Sequence, residues 1–160
     1  MLTNIESLPA TSRVWIYQSS RQFTAAELPE LQQYLHQFVD QWVSHNQALR
    51  GSAKVFHHRF IVLMVDESMA GASGCSIDKS VHFIKALEAQ FKVDLFDRMT
   101  FSYMDGEEVK TAKRAEFVEL YRNGQINDQT LVFDNLVTNK GDFDQKWTLP
   151  LGQSWHRRMV

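Results

Sequence analysis

Hydrophobic and polar positions along the chain switch several times between a strand-like and a helical period. Residues 13–18 mix β-branched and aromatic side chains and predict a first strand. Thr24 and Glu27 have the spacing of a capping box. After them, apolar residues recur at helical spacing and predict a helix from about residue 28 to 45, with an apolar stripe of Leu31, Tyr34, Leu35, Phe38 and Trp42.

The segment 53–67 predicts a central strand. Its second half has no polar alternation, which is typical of a strand that is buried on both faces. A loop of small residues follows it. The remaining predicted elements are a helix from about 77 to 91, a strand at 97–104, a turn at Asp105-Gly106, a helix at 111–123 that stops at Asn123-Gly124, and a strand or extended segment at 130–137.

The resulting β-α-β-α-β-α-β order favours an α/β fold, with α+β as the alternative. We expect one layered domain over residues 1–160, with a small sheet and an irregular aromatic C-terminal tail. A hairpin within 53–67 would make the sheet mixed. A subdivision into an α/β core at 1–97 and a C-terminal unit at 98–160 is the alternative domain organisation.

Composition narrows the class of protein further. The chain has 160 residues, 44% of them hydrophobic and 22% charged, which is ordinary for a soluble globular protein. Its formal net charge of −2 argues against non-specific nucleic-acid binding. Cys75 is the only cysteine, no signal-peptide pattern begins the chain, and the longest apolar run, 61–65, is too short to cross a bilayer. We therefore expect a cytoplasmic protein without a membrane segment, metal or cofactor.

The segment Gly-Cys-Ser-Ile-Asp-Lys-Ser, residues 74–80, raises the question of a phosphate-binding loop. When Lys79-Ser80 are aligned with the end of the P-loop motif, Ser73 and Asp78 occupy its two glycine positions. A carboxylate at Asp78 would repel a triphosphate. The acidic strand end, Asp66-Glu67, also lies upstream of the loop rather than downstream. The sequence therefore argues against a P-loop ATPase.

A looser anion site at the loop 68–80 is a second interpretation. Backbone amides at a strand-to-helix turn attract negative groups. The candidate ligand-binding residues are Ser73, Gly74, Ser76, Asp78, Lys79 and Asp66. The alternative is that Ser76 or Asp78 simply caps the following helix, since both residue types are favoured at helix N-termini.

Cys75 is the candidate catalytic residue of an alternative, enzymatic hypothesis. A thiol near a helix N-terminus can be reactive, and a base such as His57, His58 or His82 would strengthen the case. A free cysteine is more often a small buried hydrophobe. Asp66 and Asp78 could instead act as acid and base or bind a metal. Asp66 and Glu67 do not simply converge, because adjacent strand residues point to opposite faces.

The C-terminal third resembles the GYF-like adaptor modules, over about 47 residues. The features that carry the resemblance are the strand from Phe101 to Tyr103, the Asp105-Gly106 turn, the helix 116–120, the segment Asn-Gly-Gln-Ile-Asn-Asp-Gln-Thr-Leu-Val-Phe and Trp147. The better-known members of that family bind proline-rich peptides on an aromatic surface. This chain has Val-Lys-Thr-Ala-Lys-Arg where those members have a Gly-Pro-aromatic step, so part of that surface differs.

Across most of its length the chain is similar to a family of short bacterial proteins of unassigned function, some of which are labelled as transporter ATPase components. The segments that carry this resemblance lie at residues 14–23, 60–98 and 134–158. It implies a family but supplies no mechanism. The sequence thus predicts a small binding or adaptor protein with a small anionic ligand or a protein as its partner. The alternative is a small enzyme that uses Cys75, or Asp66 and Asp78.

Overall fold

The computed structural model describes all of residues 1–160, which form four α-helices and three small antiparallel sheets. The predicted mixture of helices and strands is confirmed, and its form is α+β because the named strands pair antiparallel. The chain divides into two compact units. Unit 1 comprises Met1–Phe96 and Thr138–Phe143, and unit 2 comprises Asp97–Val137 and Asp144–Val160.

The elements follow one another in chain order. They are β1 (Arg13–Gln18), α1 (Glu27–Asp40), β2 (Val43–Ser44), β3 (Gln47–Ala48), β4 (Arg50–Phe56), β5 (Phe60–Asp66), α2 (Gly74–Phe91), β6 (Thr100–Asp105), β7 (Glu108–Lys113), α3 (Arg114–Arg122), β8 (Leu131–Phe133), α4 (Lys140–Lys146) and β9 (Thr148–Pro150). Short 3-10 turns lie at Ile5–Ser7, Leu151–Gln153 and Trp155–Met159.

Unit 1 is built on the three-stranded sheet β1-β5-β4. The central strand β5 is buried at every position, as its uninterrupted apolar sequence predicts. The alternative of a hairpin within 53–67 is confirmed, since the segment divides into β4 and β5 instead of one strand, but the sheet is antiparallel rather than mixed. His57 and His58 make that turn with φ angles of 53° and 55°. Histidine only rarely adopts this left-handed conformation, so the sequence lacks the usual glycine or asparagine signal.

Helix α1 buries Leu31, Leu35 and Val39, which belong to the core of unit 1. The predicted capping box is confirmed. The Glu27 N–H donates to Thr24 Oγ1 at 3.2 Å, and the Thr24 N–H donates to Glu27 Oε1 at 2.9 Å. The predicted end of the helix near residue 45 is wrong, since α1 stops at Asp40 and the β2–β3 hairpin follows.

Unit 2 holds the four-stranded sheet β7-β6-β8-β9. The turn predicted at Asp105-Gly106 is confirmed, with Gly106 at φ +63° between β6 and β7. The helix predicted to begin at 111 begins at Arg114, because residues 108–113 form β7 instead. The fourth strand is shorter than predicted, and the tail expected to be irregular contains α4, β9 and two 3-10 turns.

Aromatic side chains dominate the core of unit 2. Phe117 of α3 is fully buried, with its ring centroid 5.7 Å from that of Phe101 and 6.3 Å from that of Tyr103. The other buried members of this core are Ala112, Ile126, Val132 and Leu151. The strands and helix of unit 2 are therefore joined by a few large rings.

Candidate functional site

The loop 68–80 ends in a self-capped helix. Ser73 is the N-cap of α2, and its Oγ accepts the Ser76 N–H at 3.2 Å. The Ser73 N–H donates in return to Ser76 Oγ at 2.7 Å. Helix α2 therefore begins at Gly74, and the expectation of a start near 77 with Ser76 or Asp78 as the cap is wrong. The hydroxyl oxygen of each serine accepts the backbone N–H of the other, so the helix begins three residues before the predicted start near 77.

This capping changes what the predicted ligand-binding residues can offer an anion. The hydroxyls of Ser73 and Ser76 are both engaged with the helix terminus. Gly74, Asp78 and Lys79 are exposed, and no acidic residue lies in the first turn of α2. Asp78 therefore occupies the second turn, where it cannot bond the terminal amides as a cap would.

Asp66 ends β5 and is only 6% exposed. Its Oδ1 accepts the Ser68 N–H at 2.9 Å, and its Oδ2 accepts from Arg50 Nη1 at 2.8 Å. Hydrogen bonds from Ser68, reinforced by the Arg50 guanidinium, lower the pKa of the Asp66 carboxyl below its ordinary value. Asp66 is thus an ionised, paired carboxylate, and this state suits a structural role better than general acid catalysis.

Cys75 lies exposed on the first turn of α2. The candidate bases named from the sequence include His57, whose pKa is lowered by burial and by the neighbouring His58. No group of three or more His, Cys, Asp and Glu side chains in residues 1–160 is arranged to hold a metal ion. The catalytic role of Cys75 stays a prediction.

Unit 2 contains a cleft that the sequence analysis missed, with a volume of about 410 Å³. It lies beside the tip of the β6–β7 hairpin. Its walls are formed by Tyr103, Lys110, Gln125, Ile126, Thr130 and the turn 104–106. Burial raises the pKa of the Tyr103 phenol, and Lys110 Nζ forms an ion pair with Asp105 Oδ2 at 2.6 Å. The cleft is therefore lined mostly by polar groups, with the neutral Tyr103 phenol and the Lys110–Asp105 ion pair among them.

A second cleft, of about 620 Å³, lies in unit 1. The segment Leu2–Glu6 forms one wall, Gln32 and His36 of α1 form another, and residues 52–54 of β4 form the floor. Both clefts bring together segments that are distant in sequence, and neither carries a local motif. The resemblance of residues 101–147 to GYF-like modules covers the lining of the Tyr103 cleft but does not locate it.

Comparisons with known proteins assign neither a family nor a function to this chain. No protein-family model, curated protein or solved structure matches this chain. The family resemblances described from the sequence therefore stay predictions. No helix of the structure has both the length and the apolar character needed to span a bilayer.

Proposed function

We propose that this protein is a binding or adaptor protein, and that unit 2 binds an extended peptide segment of a protein partner in the Tyr103 cleft. The single observation that carries this proposal is the cleft itself. It brings the Tyr103 ring and Ile126 together with a larger share of polar groups, and its volume of about 410 Å³ falls within the range of specific ligand sites.

The chemistry of the cleft suits a peptide. The edge of the Tyr103 ring and the buried Ile126 can accept an apolar or proline side chain of the partner. The Gln125 side chain offers both a donor and an acceptor for a peptide backbone. The Lys110–Asp105 pair at the rim can exchange partners with charged side chains, since Lys110 is nearly half exposed.

The resemblance to GYF-like modules supports the same proposal. It covers the strand with Phe101 and Tyr103, the hairpin turn, and the segment that supplies Gln125 and Thr130 to the cleft. The departure from the family pattern falls on residues 109–114, which form most of β7 and the first residue of α3. We therefore expect a peptide preference that differs from that of the better-known members.

The loop 68–80 supports a ligand site less well. Its two serine hydroxyls are engaged in capping α2, and these residues line neither the Tyr103 cleft nor the cleft of about 620 Å³ in unit 1. We expect that phosphate and magnesium-ATP will not raise the melting temperature of the protein, as a specific ligand would. If phosphate or magnesium-ATP raised the melting temperature saturably, and Lys79→Ala abolished that rise, the loop 68–80 would be the binding site instead.

The test is a screen of synthetic dodecapeptides, half of them proline-rich, by fluorescence polarisation. Lys110→Glu should weaken the binding of the selected peptide, because Lys110 lines the cleft. Lys113→Glu is the matched control, since Lys113 lies on the same strand, also pairs with an aspartate, and lies outside the cleft. Equal affinities of both variants and the unchanged protein would contradict the proposal.

A further inference from the structure

The outer edge of β4 in unit 1 is partly occupied by the chain's own N-terminal segment. Leu2 forms an isolated parallel bridge with Gly51. The Gly51 N–H donates to the Met1 carbonyl at 3.0 Å, and the Thr3 N–H donates to the Gly51 carbonyl at 2.8 Å. This edge of the sheet therefore already accepts an extended strand in parallel orientation.

The pairing ends after Thr3, while β4 continues to Phe56. The segment leaves the sheet edge and enters the 3-10 turn Ile5–Ser7. Arg50 holds that turn in place, since its Nη2 lies 3.3 Å from the Ser7 carbonyl and 3.2 Å from Ser7 Oγ. The cleft of about 620 Å³ opens where the segment diverges from β4.

The register of β4 shows which backbone groups point to its outer edge, where Ala53 lines the cleft and Val55 lies just beyond it. Gly51, Ala53 and Val55 lie opposite Val65, Leu63 and Ile61 of β5. Gly51 directs its N–H and C=O away from β5 and towards Met1 and Thr3. Backbone groups in an antiparallel pair alternate in direction, so Ala53 and Val55 also direct theirs outwards. Neither N–H group donates to the backbone of another segment, as the Gly51 N–H does.

One side chain covers part of this open edge. Gln32 Nε2 donates to the Ala53 carbonyl at 3.1 Å and lies 2.6 Å from His36 Nε2. A glutamine amide here occupies the place of the N–H that a neighbouring strand would supply. The Ala53 N–H and both backbone groups of Val55 stay open beyond it.

We propose that this cleft binds an extended peptide of a partner protein, which continues the parallel pairing of Leu2 along β4. The carbonyls of the peptide accept the Ala53 and Val55 N–H groups, and one of its N–H groups donates to the Val55 carbonyl, while Gln32 Nε2 keeps its hydrogen bond to the Ala53 carbonyl. Main-chain pairing of this kind supplies affinity, while the cleft walls of residues 2–6, Gln32 and His36 supply specificity. The inference rests on unit 1 alone and does not depend on the Tyr103 cleft.

The experiment uses the full chain labelled with ¹⁵N and the strand-forming peptide acetyl-Thr-Val-Thr-Val-Thr-amide. At millimolar peptide, the amide resonances of Ala53 and Val55 should shift and their hydrogen exchange should slow. The matched control is the same peptide with methylated backbone nitrogens at both valines. Each hydrogen bond that it loses should weaken binding by about threefold to tenfold.

A variant provides an independent arm. Val55→Pro removes an outward N–H without removing a hydrogen bond to β5, so the sheet should stay folded. The peptide should then no longer slow hydrogen exchange at the Ala53 amide. Val55→Thr keeps the N–H and should bind as the unchanged protein does. Unchanged shifts and exchange at Ala53 and Val55, or equal binding of the methylated peptide, would overturn the proposal. Shifts confined to the side chains of Gln32 and His36 would also overturn it, because they would indicate a small polar ligand.

Discussion

Units 1 and 2 are stabilised by different kinds of contact. In unit 1 the central strand β5 is buried at all seven positions and pairs along its length with β1 and β4. In unit 2 the central strands β6 and β8 share a single register pair, Tyr103 with Val132. Unit 2 therefore depends more on side-chain packing than on a continuous strand ladder.

The buried set of unit 2 also includes a titratable group. His156 is 1% exposed, its ring stacks on Trp155 at 3.9 Å between centroids, and its Nδ1 lies 2.6 Å from Ser154 Oγ. The rings of Phe101 and Phe117 also contact it. The comparison teaches that unit 2 should respond to protonation of a buried imidazole and to loss of one aromatic ring, whereas unit 1 relies on many aliphatic contacts.

The largest expected effect is the loss of the ring at the centre of the unit 2 core. Phe117→Ala should lower the free energy of unfolding by about 3–5 kcal/mol, because it removes a fully buried aromatic side chain and leaves a cavity. Urea denaturation measures this change. Phe83→Ala in unit 1 is the control, since Phe83 is half-buried and stacks on Phe38. If Phe117→Ala lowered the free energy of unfolding by no more than Phe83→Ala does, the proposed dependence of unit 2 on this ring would be contradicted.

Acid should weaken unit 2 through His156. Burial lowers the pKa of this imidazole from 6.5 to about 4, so the folded protein keeps the ring neutral, although Asp134 opposes the shift. The stabilisation is complete above pH 6.5 and is lost as the pH falls towards 4. Between pH 7.5 and 4.5 the contribution of this group should fall by about 2–3 kcal/mol.

His156→Phe tests this effect, because it keeps a flat ring among the aromatic neighbours and removes the titration. Denaturant unfolding at both pH values should show a smaller acid loss for the variant than for the unchanged protein. If both lose the same free energy over this interval, the acid sensitivity resides in other groups.

A smaller effect concerns the helix start in unit 1. Ser73→Ala should destabilise the protein by about 1 kcal/mol, because it removes one half of the reciprocal capping of α2. Thermal unfolding detects this change, and Ser73→Asp should restore most of the stability as an alternative cap. An unaffected melting temperature in Ser73→Ala would show that the cap contributes little.

The smallest expected effect concerns Cys75. Cys75→Ser should change the free energy of unfolding by less than about 0.5 kcal/mol, since the side chain is exposed on the first turn of α2. The same denaturation experiment measures it. A loss above 1 kcal/mol would mean that the thiol has packing contacts that its exposed position does not indicate.

The sequence predicted those parts of the fold whose signals are local. Residues 13–18 form the predicted strand with the predicted bounds, and Thr24 with Glu27 forms the predicted capping box. The direction of strand pairing could not be predicted in the same way, because the His57-His58 turn carries no common turn residue. The second half of β7, residues 111–113, was wrongly predicted as the start of a helix, since residues 108–113 have no strand-like run of apolar residues and adjoin α3.

The start of α2 shows a second limit. Ser73, Ser76 and Asp78 are all favoured N-cap types, and their order in the sequence does not decide among them. Only the hydrogen bonds between Ser73 and Ser76 identify the cap. Both clefts depend on tertiary approach of distant segments, which no spacing of residues in the sequence could reveal.

One measurement tests the central claim, that recognition resides in the Tyr103 cleft of unit 2. The ¹⁵N amide spectrum of the full chain is recorded during titration with the best peptide of the dodecapeptide screen. We predict that the largest shifts occur at Tyr103, Lys110, Gln125, Ile126 and Thr130. Shifts centred on residues 68–80, with those cleft residues unchanged, would contradict the account.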